Sequence, residues 1–227
     1  MDQPLPIDVV SDVVCPWCYV GKRLLEQAIA LKPEIPVEVR FRPFFLNPWV
    51  PREGMSREDY LIAKFGSVEA YNKAGGRVAE AAAALGLRYA RDNIKRQPNT
   101  IDCHRLILWA GLQGQLWTGM GGQAARMKQR LMELYFAEGA DLSDREVLVA
   151  AATDCGMDAE HVRRLLAGDQ DVERVTQDVD TAKNAGIDAV PCFIFGGMIG
   201  VSGAQAPSRL AEMIARAAAE RGTAAAE

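Results

Sequence analysis

The stretch Ser11–Ile29, SDVVCPWCYVGKRLLEQAI, sets two cysteines at positions 15 and 18, one helical turn apart, where a valine-rich segment gives way to a helical one. Upstream, Ile7, Val9, Val10, Val13 and Val14 form a short apolar run that reads as a buried strand. Downstream, Pro16 suits the first turn of a helix, and Val20, Leu24, Leu25, Ala28 and Ile29 recur at helical spacing, with Lys22, Arg23, Glu26 and Gln27 falling elsewhere. Lys32-Pro33 ends that helix. The next segment, VEVRFRPFF at 37–45, alternates Val37, Val39 and Phe41 with Glu38, Arg40 and Arg42, the two-residue period of a strand. Strand, helix, strand is a βαβ opening, and the cysteine pair sits at the junction of its first strand and its helix.

Cysteines at i and i+3 share one helix face, within the Cα spacing of roughly 4.4 to 6.8 Å that a disulfide requires. The free amides and positive end of the helix stabilise a thiolate at Cys15 more than one at Cys18. Cys15 therefore reads as the attacking thiol and Cys18 as the resolving one, and no acidic side chain inside the CPWC motif opposes the charge. A zinc knuckle needs a second ligand pair. Cys103-His104, Cys155 and Cys192 supply none at C-x2-C or H-x3-H spacing, so no metal is expected. Two idle structural thiols are the other alternative, and the βαβ setting favours redox chemistry over it.

The 227 residues are enough for one domain, or for one domain carrying an insertion. Apolar residues make up 49% of the chain and charged residues of mixed sign 25%, the profile of a globular protein. The net charge of -4 leaves no basic footprint for nucleic acid. No apolar run approaches the roughly 18 residues that a membrane-spanning helix needs. MDQPLPIDVV carries an acidic residue where a signal peptide has a basic one, so a cytoplasmic location is expected. There the 5 cysteines read as catalytic or buried thiols rather than as a disulfide framework.

From Pro48 to about residue 170 the periods are helical, with almost no strand-like alternation, and this stretch reads as a helical insertion. Its turn signals include Asn99 or Thr100 and Ser143 as helix caps, and Gly156 in DCGMDAEH. Gly111, Gly114, Gly119, Gly121 and Gly122 argue against one long helix. DVERVTQDVDTAKNAGI at 171–187 reads as a helix stopped by Gly186. AVPCFIFGGMIGVSG then gives strand, Gly-Gly turn and strand, followed by a last helix whose Ala-rich end past Gly222 frays. The expected organisation is a first part at 1–47, a helical insertion at 48–170 and a second part at 171–227.

SDVVCPWCYVGKRLLE, RPFFLNP, PNTIDCHRL, AVPCFIF and VSGAQ resemble, in this order and along nearly the whole chain, the FrnE-like branch of the DsbA family. The resemblance implies an α/β fold, a thioredoxin fold (β-α-β … α-β-β-α) interrupted by a large helical domain, and thiol-disulfide oxidoreductase chemistry at Cys15 and Cys18. It also implies a cis peptide bond between Val190 and Pro191, which by sequence alone reads as an ordinary trans strand entry. A cis bond there would leave the backbone of Val190 free to pair with a substrate beside Cys15. The substrate would be a protein, a peptide or a small thiol or disulfide, with no cofactor beyond the dithiol. The same superfamily includes kappa-type glutathione transferases and hydroxychromene carboxylate isomerases, which carry serine where Cys15 stands. Asn47 and the SGAQ segment with Gln205 fall where those relatives hold glutathione, so glutathione is a possible ligand. A non-enzymatic holdase that uses the interdomain cleft is a third reading.

The resemblance places His104 in the segment facing the dithiol, where proton transfer or orientation competes with a packing or capping role. Cys103 and Cys155 read as buried thiols, and Cys192 as buried but with its backbone near Cys15. Trp17 reads as exposed, flanking the dithiol with Pro16 as a docking surface for an apolar substrate. Trp49, Trp109 and Trp117 read as core or interdomain packing.

Overall fold

The computed structural model of the chain describes residues 3–74, 76–113 and 122–224. Trp117, Gly114, Gly119 and Gly121 lie outside them, as do the last three residues of the Ala-rich end. The opening folds as its patterning predicts: strand β1 (Leu5–Ser11), helix α1 (Pro16–Ala30) and strand β2 (Val37–Pro43). β1 runs parallel to β2 from Leu5↔Val37 to Ser11↔Pro43. In the helical segment, a two-stranded pair, β3 (Met55–Ser56) with β4 (Arg96–Gln97), precedes or separates α2 (Arg57–Phe65), α3 (Val68–Ala74), α4 (Gly76–Ala84) and α5 (Ile101–Gln113). There follow α6 (Gly122–Glu133), continued by a π-helical turn over Leu134–Glu138, then α7 (Arg145–Asp154), α8 (Ala159–Ala167) and α9 (Val172–Asn184). The chain returns to the sheet as β5 (Cys192–Phe195) and β6 (Ile199–Ser202), and ends in α10 (Pro207–Ala224).

The main sheet of the described residues has the order β2-β1-β5-β6, with β5 antiparallel to β1 and to β6. The β5–β6 turn passes through Gly196 at φ 63° and Gly197 at φ 77°, left-handed angles that glycine adopts without steric cost. One sheet face is closed by α1 and α10, with Ile7, Val9, Phe193 and Phe195 packed on Leu25, Ala28, Leu210 and Ile214. The apolar residues just after β1 belong elsewhere. Val13, Val14, Cys15, Cys18 and Tyr19 join the cluster built by α5 to α8, including Leu106, Met127, Leu131 and Phe136. The dithiol thus lies at the seam of the sheet domain and the helices.

Three expectations are corrected here. The segment read as a helical insertion, with almost no strand-like alternation, also contains the β3–β4 pair, whose strands of 2 residues each are too short to show alternation. Ser143 does not cap α7. Asp144 does, its carboxylate accepting the Glu146 amide at 2.8 Å, and a charged acceptor at the positive helix end outcompetes a hydroxyl. Trp49 is not core: it is 47% exposed, its ring stacked on Tyr60 at 5.7 Å. Trp109 is buried, its Nε1 donating to Asp171 at 2.9 Å.

Candidate active site

Cys15 is the N-cap residue of α1, extended at φ −85° and ψ 113°, with Pro16 at the first helical position. Its carbonyl accepts from the amides of Cys18 (3.0 Å) and Tyr19 (3.2 Å), which starts the helix directly behind the sulfur. Both thiols are buried. The Cys18 thiol, hydrogen-bonded to the Cys15 sulfur, is the largest influence holding Cys15 below the usual cysteine range; burial opposes it, and the amides of Cys18 and Trp17 add to it. Cys18 is pushed well above that range by burial and by its partner sulfur. The two thiols are thus held unequal, and for Cys15 the neighbouring thiol is the largest single influence, ahead of the amides at the helix terminus.

Asp12 is the acidic group that the motif-centred reading missed. It lies three residues before Cys15, outside CPWC, is 0% exposed, and its negative charge pushes Cys15 upward. Its Oδ2 accepts the Leu46 amide at 2.8 Å and its Oδ1 lies 3.2 Å from Nε2 of His104. Burial raises the Asp12 pKa, but the hydrogen bond and charge of His104, the Leu46 amide and Thr100 together leave it lowered. Asp12 thereby ties the end of β1 to the loop after β2 and to the start of α5. His104 is buried, its ring centroid 5.8 Å from that of Phe45 and its Nε2 3.2 Å from Asp12.

The Val190–Pro191 bond is cis, and the Cys15 thiol donates to the Val190 carbonyl at 3.7 Å. Trp17 is 39% exposed beside the pair. Asn47 and Gln205 each have hydrogen-bond partners within the protein. Asn47 is buried, its Oδ1 accepting from Lys64 Nζ (2.5 Å) and the Tyr60 hydroxyl (3.3 Å). Gln205 turns back to donate to the Ser202 carbonyl at 2.9 Å. Cys103, Cys155 and Cys192 are buried, and burial raises each of them above the usual thiol value. Among the described residues, no group of three or more His, Cys, Asp or Glu side chains is placed to hold a metal ion. No helix among them is long and apolar enough to cross a membrane.

Two lysines complete the surroundings, and neither stands out in the sequence. Lys64 of α2 has its pKa lowered by burial against the opposing charges of Cys15 and Asp12. Lys128 of α6 is 1% exposed, and burial lowers it while Cys18, Asp12 and Cys15 raise it. A buried acid at the end of an apolar strand, here Asp12 in SDVVC, was a signal available in the sequence; the lysines arrive from remote helices and left none.

The family model for the DsbA-like thioredoxin domain matches residues 6–215. A probable DsbA oxidoreductase from Streptomyces coelicolor is 32% identical, with a TM-score of 0.84 over 95% of this chain and 91% of that one. An uncharacterised Bacillus subtilis protein, YwbO, is 28% identical over 193 residues, 84% of this chain and 86% of that protein. A cytosolic disulfide reductase from Pseudomonas aeruginosa, solved with glutathione, shares the fold at 14% identity and a TM-score of 0.61, covering 98% of this chain and 100% of that one. With a dithiol opening α1, a cis-proline loop against it and a match running almost from end to end, this chain belongs to the family of DsbA-like thioredoxin domains.

Proposed function

We propose that the protein is a thiol-disulfide oxidoreductase of the FrnE-like branch, with Cys15 as nucleophile and Cys18 as resolving thiol. One observation carries the reading: the two sulfurs are unequal, Cys15 lowered and Cys18 raised, with Cys15 at the helix start beside the Val190 carbonyl. The Cys15 thiolate attacks a substrate disulfide, forming a mixed disulfide and expelling the first substrate thiolate. Cys18 then attacks the Cys15 sulfur, the Cys15–Cys18 disulfide forms, and the second substrate thiolate leaves and takes up a proton. The substrate gains two electrons and the enzyme loses two; run backwards, the oxidised pair oxidises a dithiol.

Val190 and Pro191 form one wall for the substrate chain, and Pro16 with the half-exposed ring of Trp17 offers an apolar one. That surface suits a protein or peptide disulfide, and small disulfides including glutathione fit the same chemistry. The dithiol is the only redox group this mechanism requires. A reducing cytoplasm is the compartment that keeps such a pair supplied with electrons. The test is dithiothreitol-driven insulin reduction with non-reducing gels. Cys15→Ser should abolish turnover, and Cys18→Ser should accumulate long-lived mixed disulfides. Full activity in Cys15→Ser would overturn the assignment and return the protein to a cleft-binding holdase.

A further inference from the structure

His104 also lines a cavity of about 490 Å³ between the edge strand β2 and helices α5, α6 and α9. This volume is in the range of small-molecule sites. Its lining includes neither cysteine and no residue of the Val190–Pro191 loop, so it is distinct from the dithiol groove. Among the described residues its polar groups are mostly cationic: Arg40 and Arg42 from β2, both paired with Asp8, Lys128 from α6 and Arg174 from α9, with the carboxylate of Asp178 also in the lining.

Two of these cations are incompletely satisfied. Lys128 is 1% exposed, and among the described residues its Nζ has no ion-pair partner; it stands 5.4 Å from the centroid of the Phe41 ring. A ring face offsets only part of the cost of burying an ammonium. Arg40 gives Nη2 to Asp8 at 2.8 Å, but its Nε is buried with no hydrogen-bond partner. Among the described residues, the cavity is thus lined by one buried donor without a partner, Arg40 Nε, and by one ammonium without a carboxylate, Lys128, which together call for an acceptor inside it. Arg42 and Arg174, both exposed, stand where they would draw an anion inward. The remaining wall is apolar, with Phe41, Ile107, Leu108 and Val175.

We propose that this cavity binds a small organic carboxylate with an apolar body, the carboxylate against Lys128 and the body along Phe41, Ile107 and Leu108. The site also communicates with the thiols: His104, in the cavity lining, lies 3.2 Å from Asp12 three residues before Cys15, and the charge of Lys128 acts on Cys18, Asp12 and Cys15. An anion beside Lys128 cancels its attraction for a thiolate, so by linkage the ligand binds the oxidised protein, which has no thiolate, more tightly than the reduced protein. This coupling rests on the dithiol reading; the binding does not.

Isothermal titration of the full chain with 4-phenylbutyrate, and with 4-phenylbutanamide as its neutral counterpart, tests both. The carboxylate should bind one per chain and at least about tenfold more tightly than the amide. Lys128→Met, which keeps the side-chain volume, should weaken the carboxylate at least about tenfold, and Leu108→Trp should abolish binding by filling the cavity with Lys128 in place. If Lys128→Met does not fold, Leu108→Trp and the amide comparison decide. No binding to the wild type, equal affinity for acid and amide, or unchanged binding in Leu108→Trp would overturn the site. Equal affinity for the oxidised and reduced forms would overturn the coupling alone, and insulin reduction by Cys15→Ser separates that failure from a failure of the dithiol assignment.

Discussion

Replacing Asp12 by Asn removes one charge from the most heavily bonded carboxylate near the dithiol and leaves its shape. Asp12 accepts from the Leu46 amide at 2.8 Å and faces His104 Nε2 at 3.2 Å, all at 0% exposure. An asparagine keeps one acceptor oxygen but turns an NH2 toward a neighbouring donor. One charge-assisted bond, worth about 1.5–3 kcal/mol, is lost and a buried donor is left open at about 1–3 kcal/mol. The sum, about 2.5–6 kcal/mol, brackets the roughly 3–5 kcal/mol that breaking a buried ion pair by removing one partner costs. With a urea slope of about 3 kcal/mol/M, the unfolding midpoint should fall by roughly 1–1.7 M. Because the folded Asp12 pKa is lowered, its contribution is present above the unfolded value of about 3.9 and is lost as pH falls through the folded one. The gap between wild type and variant should therefore hold near neutrality and close in acid. The charge of Asp12 also raises the Cys15 pKa, so in Asp12→Asn the iodoacetamide alkylation midpoint of Cys15 should move to lower pH. A stability loss under about 0.5 kcal/mol, or a Cys15 midpoint that moves upward, would refute this account of the buried carboxylate.

In the wild type, with Cys103, Cys155 and Cys192 replaced, Cys15 should alkylate with a midpoint below the roughly 8.5 of free cysteine, and Cys18 should ionise only after it. Gly21→Ala should destabilise the protein by about 1–3 kcal/mol in thermal or urea unfolding despite the better helix propensity of alanine. Its Cβ would stand 2.8 Å from Pro191 Cγ and 3.3 Å from Phe193 Cζ, so insulin reduction should fall as well. Arg105→Met should cost about 3 kcal/mol or more, because this fully buried guanidinium donates to the carbonyls of Leu165, Gly168 and Gln170 and to Asp102. Those contacts lie among α5, α8 and α9, so the Cys15 alkylation midpoint of the folded variant should stay where it is.

The sequence alone determined the framework of the fold, since its signals are local. Alternation in VEVRF, the helical spacing after Pro16, the Gly196-Gly197 turn and the C-x2-C pair each operate within a few residues. The same locality gave an expected polarity between the two thiols, because it follows from which cysteine stands at a helix start. The cis bond at Val190–Pro191 came from resemblance, not from local chemistry, since the residues themselves fit a trans strand entry equally well. Only the tertiary structure decided which charges act on the dithiol. Asp12 is close in sequence but matters through His104 and Leu46, 92 and 34 residues away, and Lys64 and Lys128 come from separate helices. A lysine that faces water and one sealed against the Phe41 ring look alike in a sequence. Burial sets the difference, and burial is a property of the packed whole.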